Sequence, residues 1–409
     1  MISFQKTEIF SKKRRKGAKM KHVGVICEYN PFHQGHAYLL RQLREADTVV
    51  CLMSGNFTQR GEAAILPPVA RATMAVQAGA DLVLELPFPF AAASARYFAT
   101  AGVRGLAALG VDTLAFGSEG GELAPLRAAA DRAPEGDFRK TAVNGVENVG
   151  DAAAYFTALG EPLASNDILA VEYLRALRVE QLPLIPLAVR RVGAGYRETV
   201  WENSEFASAT AIRAALEAGE DVRRLLPPES IDVFADAVAE TGLADTRRLG
   251  TAMLARLRAF SAESGQTVAK NANIAEAEGG LLQRLIKASF EADDYESLCR
   301  VAATKRYTDG RIRRTLLYLL AGVTEEDLAA PLAYLRLLAA NEKGRAFLAQ
   351  TEKTRTVPVV TKQSEIAALG TVAARQRALG QVADGLYAIA LDGRLTPHAL
   401  QTAKPYFFH

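Results

Sequence analysis

HVGVICEYNPFHQGHAYLL, residues 22 to 40, runs from an unbroken apolar segment through a proline turn into a helical pattern. An apolar run without polar alternation is the composition of a strand buried on both faces, as in a parallel sheet covered by helices. Pro31 stiffens the turn that follows. His33, Gly35 and His36 then open the helix, where unpaired backbone N–H groups attract phosphate and residues three apart share a face. Gly35 keeps the backbone open to a ligand. His33 and His36 are therefore expected to contact a phosphate chain. The bland alternative is a pair of histidines that only caps the helix.

The same alternation continues outward. TVVCLMS (from Thr48), DLVLELP (from Asp81), VDTLAFG (from Val111) and LPLIPLAV (from Leu182) read as further strands. Helices are expected near residues 35–44, 68–78, 94–109 and 167–178. This is a doubly wound α/β domain with a parallel sheet, occupying residues 20–220. From residue 221 to 409 apolar positions recur at three and four, with many Leu, Ala, Arg and Glu, so this part is expected to be mainly α-helical. SAESGQTVAKNAN, from Ser261, reads as a loop that interrupts it.

Composition bounds the function. With 409 residues and 49% hydrophobic content, the chain can bury a large core over two or three domains. No segment approaches the roughly 18 apolar residues of a membrane span, and the N-terminus has no secretory core, so a cytoplasmic protein is expected. Cys27, Cys51 and Cys299 lie too far apart in sequence for a paired metal motif and read as buried, reduced thiols. The net charge of +3 does not announce nucleic acid. The basic leader, residues 1–19, with Lys12, Lys13, Arg14, Arg15, Lys16 and Lys19, reads as a disordered tail.

A second phosphate-binding element stands at ASATAIRAAL, from Ala207. Ser208 and Thr210 suit the cap of a helix whose first turn ends in Arg213, so hydroxyls, backbone donors and a guanidinium converge on one anion. Together with the histidine motif, it resembles the paired signatures of the HxGH nucleotidyltransferase superfamily, whose fold is a Rossmann-like HUP domain. EYNPFHQGH, MSGNFTQRGEAAI (from Met53), ADLVLELPF (from Ala80), FGSE (from Phe116), SNDILAVEY (from Ser165) and VRRVGAGY (from Val189) narrow the likeness. So do AEGGLLQRL (from Ala277), KRYTDGRIRR (from Lys305) and YLRLLAANEKGRAFL (from Tyr334). In that order they resemble the tRNA(Met) cytidine acetate ligase family. The stretch after Glu278 lacks the family's usual Glu-Asn pair, and the leader has no counterpart.

The resemblance implies an ATP-dependent ligase that makes acetyl-adenylate and pyrophosphate from acetate. The acetyl group then passes to N4 of the wobble cytidine of elongator tRNA(Met). It places ATP on Ile26, Cys27, Glu28, Tyr29, Asn30, Pro31, Phe32, His33, Gln34, Gly35, His36, Ala37, Tyr38 and Leu39, with Gly117, Asn166, Arg190 and Arg191. Ser208, Thr210 and Arg213 complete the set, and Mg2+ is expected to accompany ATP without a dedicated protein cage. Gly117 suits a strand end under a ligand, Asn166 a nucleotide edge, and Arg190 and Arg191 the leaving pyrophosphate. Glu28 and Asp81 are candidate supporting groups or strand-end structure. Arg60 is a candidate for phosphate or RNA with Glu62 orienting it, and Arg71 is open to a solvated-face reading.

For RNA the local signal is Lys305, Arg306, Arg311, Arg313 and Arg314 around Tyr307, cations for the phosphate backbone and a ring for a base. Arg197, Lys362 and Arg375 are possible extensions of that surface. Two other readings stay open: a small-molecule adenylyltransferase using the same motifs, and an RNA-binding protein with a regulatory nucleotide pocket.

Overall fold

The computed structural model of the chain describes residues 21–136, 138, 141–142, 152–191, 206–271 and 273–408, with the side chains of 261–271 left aside. The basic leader and Arg197 lie outside the described residues. The apolar runs form β1 (His22–Cys27), β2 (Thr48–Ser54), β3 (Leu82–Leu86), β4 (Thr113–Ser118) and β5 (Ile185–Arg190). Among them lie α1 (Gln34–Gln42), α2 (Pro68–Gln77), α3 (Ala95–Leu109), α4 (Leu123–Arg132), α5 (Ala152–Ala158) and α6 (Ser165–Val179). A seventh helix, α7 (Ala209–Glu217), closes this part of the chain.

The five strands pair in parallel in the order β5-β4-β1-β2-β3. Neighbours on one strand point to opposite faces. Ile26 and Leu52 accordingly pack with α3 and α6, while Val25 and Cys51 pack with α1, α2 and α7. Burial on both sides, about 1.5–3 kcal/mol for each fully covered aliphatic side chain, explains the apolar runs of β1 to β4, whereas β5, at the sheet edge, is partly exposed along its length. The strand order reverses between β1 and β4, and a crevice is expected beyond the carboxyl ends of those two strands.

The later part is mainly helical, with α8 (Ile231–Thr241), α9 (Gly250–Asn271), α10 (Leu281–Ser289), α11 (Tyr295–Ala302), α12 (Asp309–Ala321) and α13 (Glu325–Ala329). The loop expected from Ser261 is corrected: α9 continues through it to Asn271. A single glycine costs an established helix only about 1 kcal/mol, and the Ala, Glu, Gln and Lys around it are good helix formers.

The chain then returns to the sheet, which the sequence reading missed. β6 (Leu335–Ala340) pairs antiparallel with β3. After α14 (Glu342–Thr351), β7 (Val359–Val360), α15 (Gln363–Ile366), α16 (Thr371–Ala390) and α17 (Pro397–Thr402) comes β8 (Tyr406–Phe407), and both short strands run parallel to β6. LRLLAA has no β-branched residue, so only its place beside β3 makes it a strand. The helices form a core of their own around Leu257, Leu285, Leu316 and Tyr387. Phe57 and Phe88, from the loops after β2 and β3, are part of it and join helices to sheet at the crevice side.

Arg71 on α2 is not on a solvated face; it is 0% exposed. Its Nε donates to the Leu66 carbonyl at 2.9 Å, Nη1 to that of Glu28 at 2.5 Å, and Nη2 to those of Ser54, at 3.1 Å, and Gly55. Asp81 is structural as well, accepting from Val49 N–H at 2.8 Å and from Asn341 Nδ2 at 2.7 Å. It precedes β3, at the strand end away from the crevice. Arg71→Met is expected to cost about 3 kcal/mol or more, because it strands several buried carbonyls. Arg71→Lys should recover only part, since an ammonium lacks the planar fork. Urea unfolding measures both, and a wild-type midpoint for Arg71→Met would remove the clamp from this account.

Candidate functional site

A cleft of about 790 Å³ opens at the carboxyl ends of β1 and β4. His33 and His36 from the start of α1, Ser208, Thr210 and Arg213 from the start of α7, and Gly117, Asn166, Arg190 and Arg191 all line it. Residues separated by most of the α/β domain thus meet around one space.

His33 is the N-cap of α1, and its Nδ1 accepts the Gly35 N–H at 3.0 Å. His36 Nδ1 accepts the His33 N–H at 3.3 Å, and the two ring centroids are 3.8 Å apart. Capping and cleft-lining are therefore one arrangement. With each Nδ1 used as an acceptor, a neutral ring carries its proton on Nε2 and becomes a hydrogen-bond donor. Gly35 serves this geometry in a way the sequence reading did not foresee: a Cβ there would stand 2.9 Å from His33 Cε1. Burial, then the charges of Arg191 and Arg213, pulls the His33 pKa down to about 3. Burial, His33 and Arg191 hold His36 well below its usual value too.

The second helix tip is held against the first. Ser208 Oγ accepts the Ala211 N–H at 3.1 Å and caps α7, whereas Thr210 lies inside the first turn. Arg213 Nη1 donates to the Asn30 carbonyl at 2.9 Å, and its Nη2 reaches Thr210 Oγ1 at 3.4 Å. Asn30 Oδ1 in turn accepts the Ile65 N–H at 2.8 Å. At Gly117 a Cβ would lie 3.3 Å from Arg191 Cγ, so the glycine makes room for that arginine. Asn166 Nδ2 donates to Glu119 Oε1 at 2.6 Å.

Not every motif residue reaches the cleft. Ile26, Cys27, Glu28, Tyr29, Asn30, Tyr38 and Leu39 line it with Gly35 and the histidines. Pro31, Phe32, Gln34 and Ala37 do not: Phe32 and Ala37 are core, and Gln34 Nε2 donates to the Leu226 carbonyl at 3.1 Å. Cys27, Cys51 and Cys299 are free and buried. Glu28 faces the cleft, with Oε1 accepting the Gln59 N–H at 2.7 Å. Burial raises its pKa against that hydrogen bond and the charges of Arg60 and Arg213.

The expected RNA platform is corrected. Tyr307 is 7% exposed and bonds the Gly279 carbonyl, while Arg311 and Arg314 are 4% and 8% exposed. Arg311 Nε donates to the Glu276 carbonyl at 3.1 Å and Nη2 to that of Glu278 at 2.8 Å. Arg314 Nε meets Glu276 Oε2 at 2.7 Å. Arg313 pairs with Glu62. Of the six residues, Lys305 and Arg306 remain exposed. Arg375 is ion-paired with Asp327 at 2.7 Å, and Lys362 is exposed. Partners this distant in sequence make a structural basic run look like a free one.

Glu276 is the residue that sequence reasoning passed over. It is 1% exposed, lines the cleft, and its Oε1 accepts the Ser94 N–H at 2.8 Å. One carboxylate thus ties the loop before α3 to α12. No local signal set it apart: two residues on, Glu278 stands just ahead of the paired glycines and is only half-buried, and what buries Glu276 is Arg314, far along the chain.

The HIGH Nucleotidyl Transferase family model matches residues 20–401. The chain is 40% identical over 367 residues to the tRNA(Met) cytidine acetate ligase of Syntrophotalea carbinolica, covering 85% of this chain and 86% of that protein. It is 36% identical over 401 residues to the tRNA(Met) cytidine acetate ligase of Acetivibrio thermocellus, covering 90% and 94%. The crystal structure of Thermotoga maritima TmcAL bound with alpha-thio ATP matches with a TM-score of 0.81 at 29% identity, over 95% of this chain and 99% of that one.

Arg314→Glu should destabilise the protein by about 3–5 kcal/mol, because it leaves Glu276 buried beside a second carboxylate. A stable variant with altered RNA affinity alone would restore the platform reading. Acid should also act through His33. An unfolded histidine titrates near 6.5, the folded one at about 3, so between those values the unfolded chain binds the extra proton. Stability of the free protein should rise with pH across that window and lose this dependence above it. His33→Asn should flatten the acid limb in urea titrations, and an unchanged slope would contradict the assignment.

Proposed function

Because this chain belongs to the tRNA(Met) cytidine acetate ligases of the HIGH nucleotidyl transferase family, we propose that its cleft performs ATP-dependent ligation in two steps. An acetate oxygen attacks the α-phosphorus of ATP, and the α–β bridging P–O bond breaks with its electron pair leaving on pyrophosphate. N4 of the wobble cytidine of elongator tRNA(Met) then attacks the acetyl carbon. The bond from that carbon to the phosphate oxygen breaks towards AMP, and N4 gives up a proton.

The observation that carries this reading is the convergence of His33, His36, Arg191 and Arg213 on one cleft between two helix tips. Acetate is a carboxylate at neutral pH and needs no base to attack. The demand is on holding phosphate charge that shifts toward the leaving group. Fixed donors aimed at that charge meet it: two Nε2–H groups and the arginine pair 190–191, beside the positive end of α1. In the free protein burial first, then Arg191 and, for His33, Arg213 keep the imidazoles from taking a further proton. A bound triphosphate offsets the arginine charges, while the rings stay buried and act as neutral Nε2–H donors.

Mg2+ would accompany ATP here and screen the charge of its phosphates. Among the described residues, no three His, Cys, Asp or Glu side chains converge as a metal cage. The anticodon approaches over the mainly helical part, residues 221–409, where Thr308, Asp309 and Gly310 line the cleft and exposed Lys305 and Arg306 stand just before them. The protein works in the cytoplasm with its tRNA. No helix among the described residues is long and apolar enough to cross a membrane.

ATP, labelled acetate and elongator tRNA(Met) incubated with the protein should yield acetylated cytidine, AMP and pyrophosphate. His36→Ala should lower that activity by about 100-fold or more while tRNA affinity stays near wild type. Undiminished acetylation by this variant would take the imidazoles out of the mechanism. AMP transferred to another acceptor, with no acetylcytidine formed, would make the protein a small-molecule adenylyltransferase.

A further inference from the structure

Glu172 on α6 is an acid on a helix face otherwise given to core, flanked by Ala170, Val171, Tyr173 and Leu174, and it is 0% exposed. One of its oxygens is explained. Oε2 meets Arg175 Nε at 2.7 Å, and Arg175 reaches across to Thr100 on α3. Oε1 has no hydrogen-bond partner among the described residues, although Glu172 lines the cleft. A buried carboxylate oxygen left bare is costly, and one that borders a cleft is placed to meet a donor that arrives with a ligand.

The surroundings state what kind of ligand. Ile168, Leu169 and Tyr173 share α6 with Glu172, Phe116 lies 5.8 Å from Tyr173 between ring centroids, and all of them line the cleft with Phe98, giving a mostly apolar recess with aromatic faces. Such a lining takes a flat heteroaromatic ring, and a bare carboxylate at its side takes an N–H on the ring's edge. Burial raises the Glu172 pKa, opposed by Arg175 and Arg96. Glu172 is held by Arg175 on its own helix, whereas Arg191 and Arg213 face His33 across the same cleft. Arg96 follows Ser94, whose N–H Glu276 holds, so the recess adjoins the wall built by α12.

Resting on the ligase reading above, we propose that this recess holds the target cytosine and that Glu172 Oε1 accepts an N4–H of its exocyclic amine. Uracil presents a carbonyl at the same place, lone pairs facing a carboxylate, and is rejected. Glu172 also receives the proton that N4 loses as the N4–carbon bond forms and the electron pair of the acetyl carbon–oxygen bond departs with AMP. Adenine carries an exocyclic amine too, and the two half-reactions tell the bases apart, because only cytosine is needed for transfer alone.

The half-reactions separate the possibilities. In Glu172→Gln, acetate-dependent ATP–pyrophosphate exchange should stay within about twofold of wild type, while kcat/KM for acetylation of elongator tRNA(Met) falls by about 100-fold or more. Unchanged acetylation would overturn the proposal. If exchange is lost as well, through adenine binding or through a weakened fold around Arg175, Ala153→Trp decides, because Ala153 is exposed and lines the same cleft. Transfer lost with exchange retained in that variant sustains the base pocket; transfer kept, or exchange lost there too, overturns it. A wild-type protein that catalyses neither half-reaction would instead bring down the ligase reading, and this proposal with it.

Discussion

A guanidinium sealed from water fixes where the first two strands stop. Arg71 donates to the carbonyl oxygens of Glu28, Ser54 and Gly55, the groups that β1 and β2 leave unpaired as they diverge. Carbonyls at a buried strand end must find donors, and one planar cation bearing several N–H groups supplies them at once. The consequence is positional. The turn from Glu28 to Asn30 and the loop from Gly55 to Glu62 leave a common anchor, and the Gln59 N–H then reaches Glu28. What α1 presents at its tip depends on that anchor.

A second buried cation does for the helical part what Arg71 does for the sheet. Arg314 and Glu276 pair out of water at 2.7 Å, and Glu276 also holds Ser94 at the entrance to α3. The pair spends attraction on its own desolvation, so its contribution to net stability is small. Its value is geometric, because a mispaired arrangement leaves a bare charge inside. The Arg313–Glu62 contact adds a link from α12 to the loop after β2. The cleft is therefore walled by both parts of the chain, and the sheet supplies its floor.

These arrangements explain which features the sequence disclosed. β1 to β4 were readable because burial on both faces keeps their middles almost wholly apolar, Glu85 in β3, ion-paired with Arg336, being the exception. His33, Gly35 and His36 were readable because the chemistry is local: every hydrogen bond that sets the two rings lies within four positions of the chain. Arg71, Arg311 and Arg314 were not, since a buried arginine is disclosed only by its acceptors, and Glu28, Glu276 and Gly55 lie far from them in sequence. β6 was hidden for a related reason. A short Leu-Ala run suits helix and strand alike, and pairing with β3, far back in the chain, decides between them.

The cleft carries two kinds of buried charge, and both suit a reaction with two acceptors. Arg191 and Arg213 oppose a further proton on His33, so these side chains favour anions. Glu172 and Glu276 are carboxylates out of water, each paired with a buried arginine. Glu28, just after β1, has its charge penalised by burial and supported by Arg60 and Arg213. Phosphate is favoured by the arginines and an amine by a carboxylate, so each reactant meets a group that suits it. A reaction that must first release pyrophosphate and then lose a proton from an amine needs both kinds of group in one cleft.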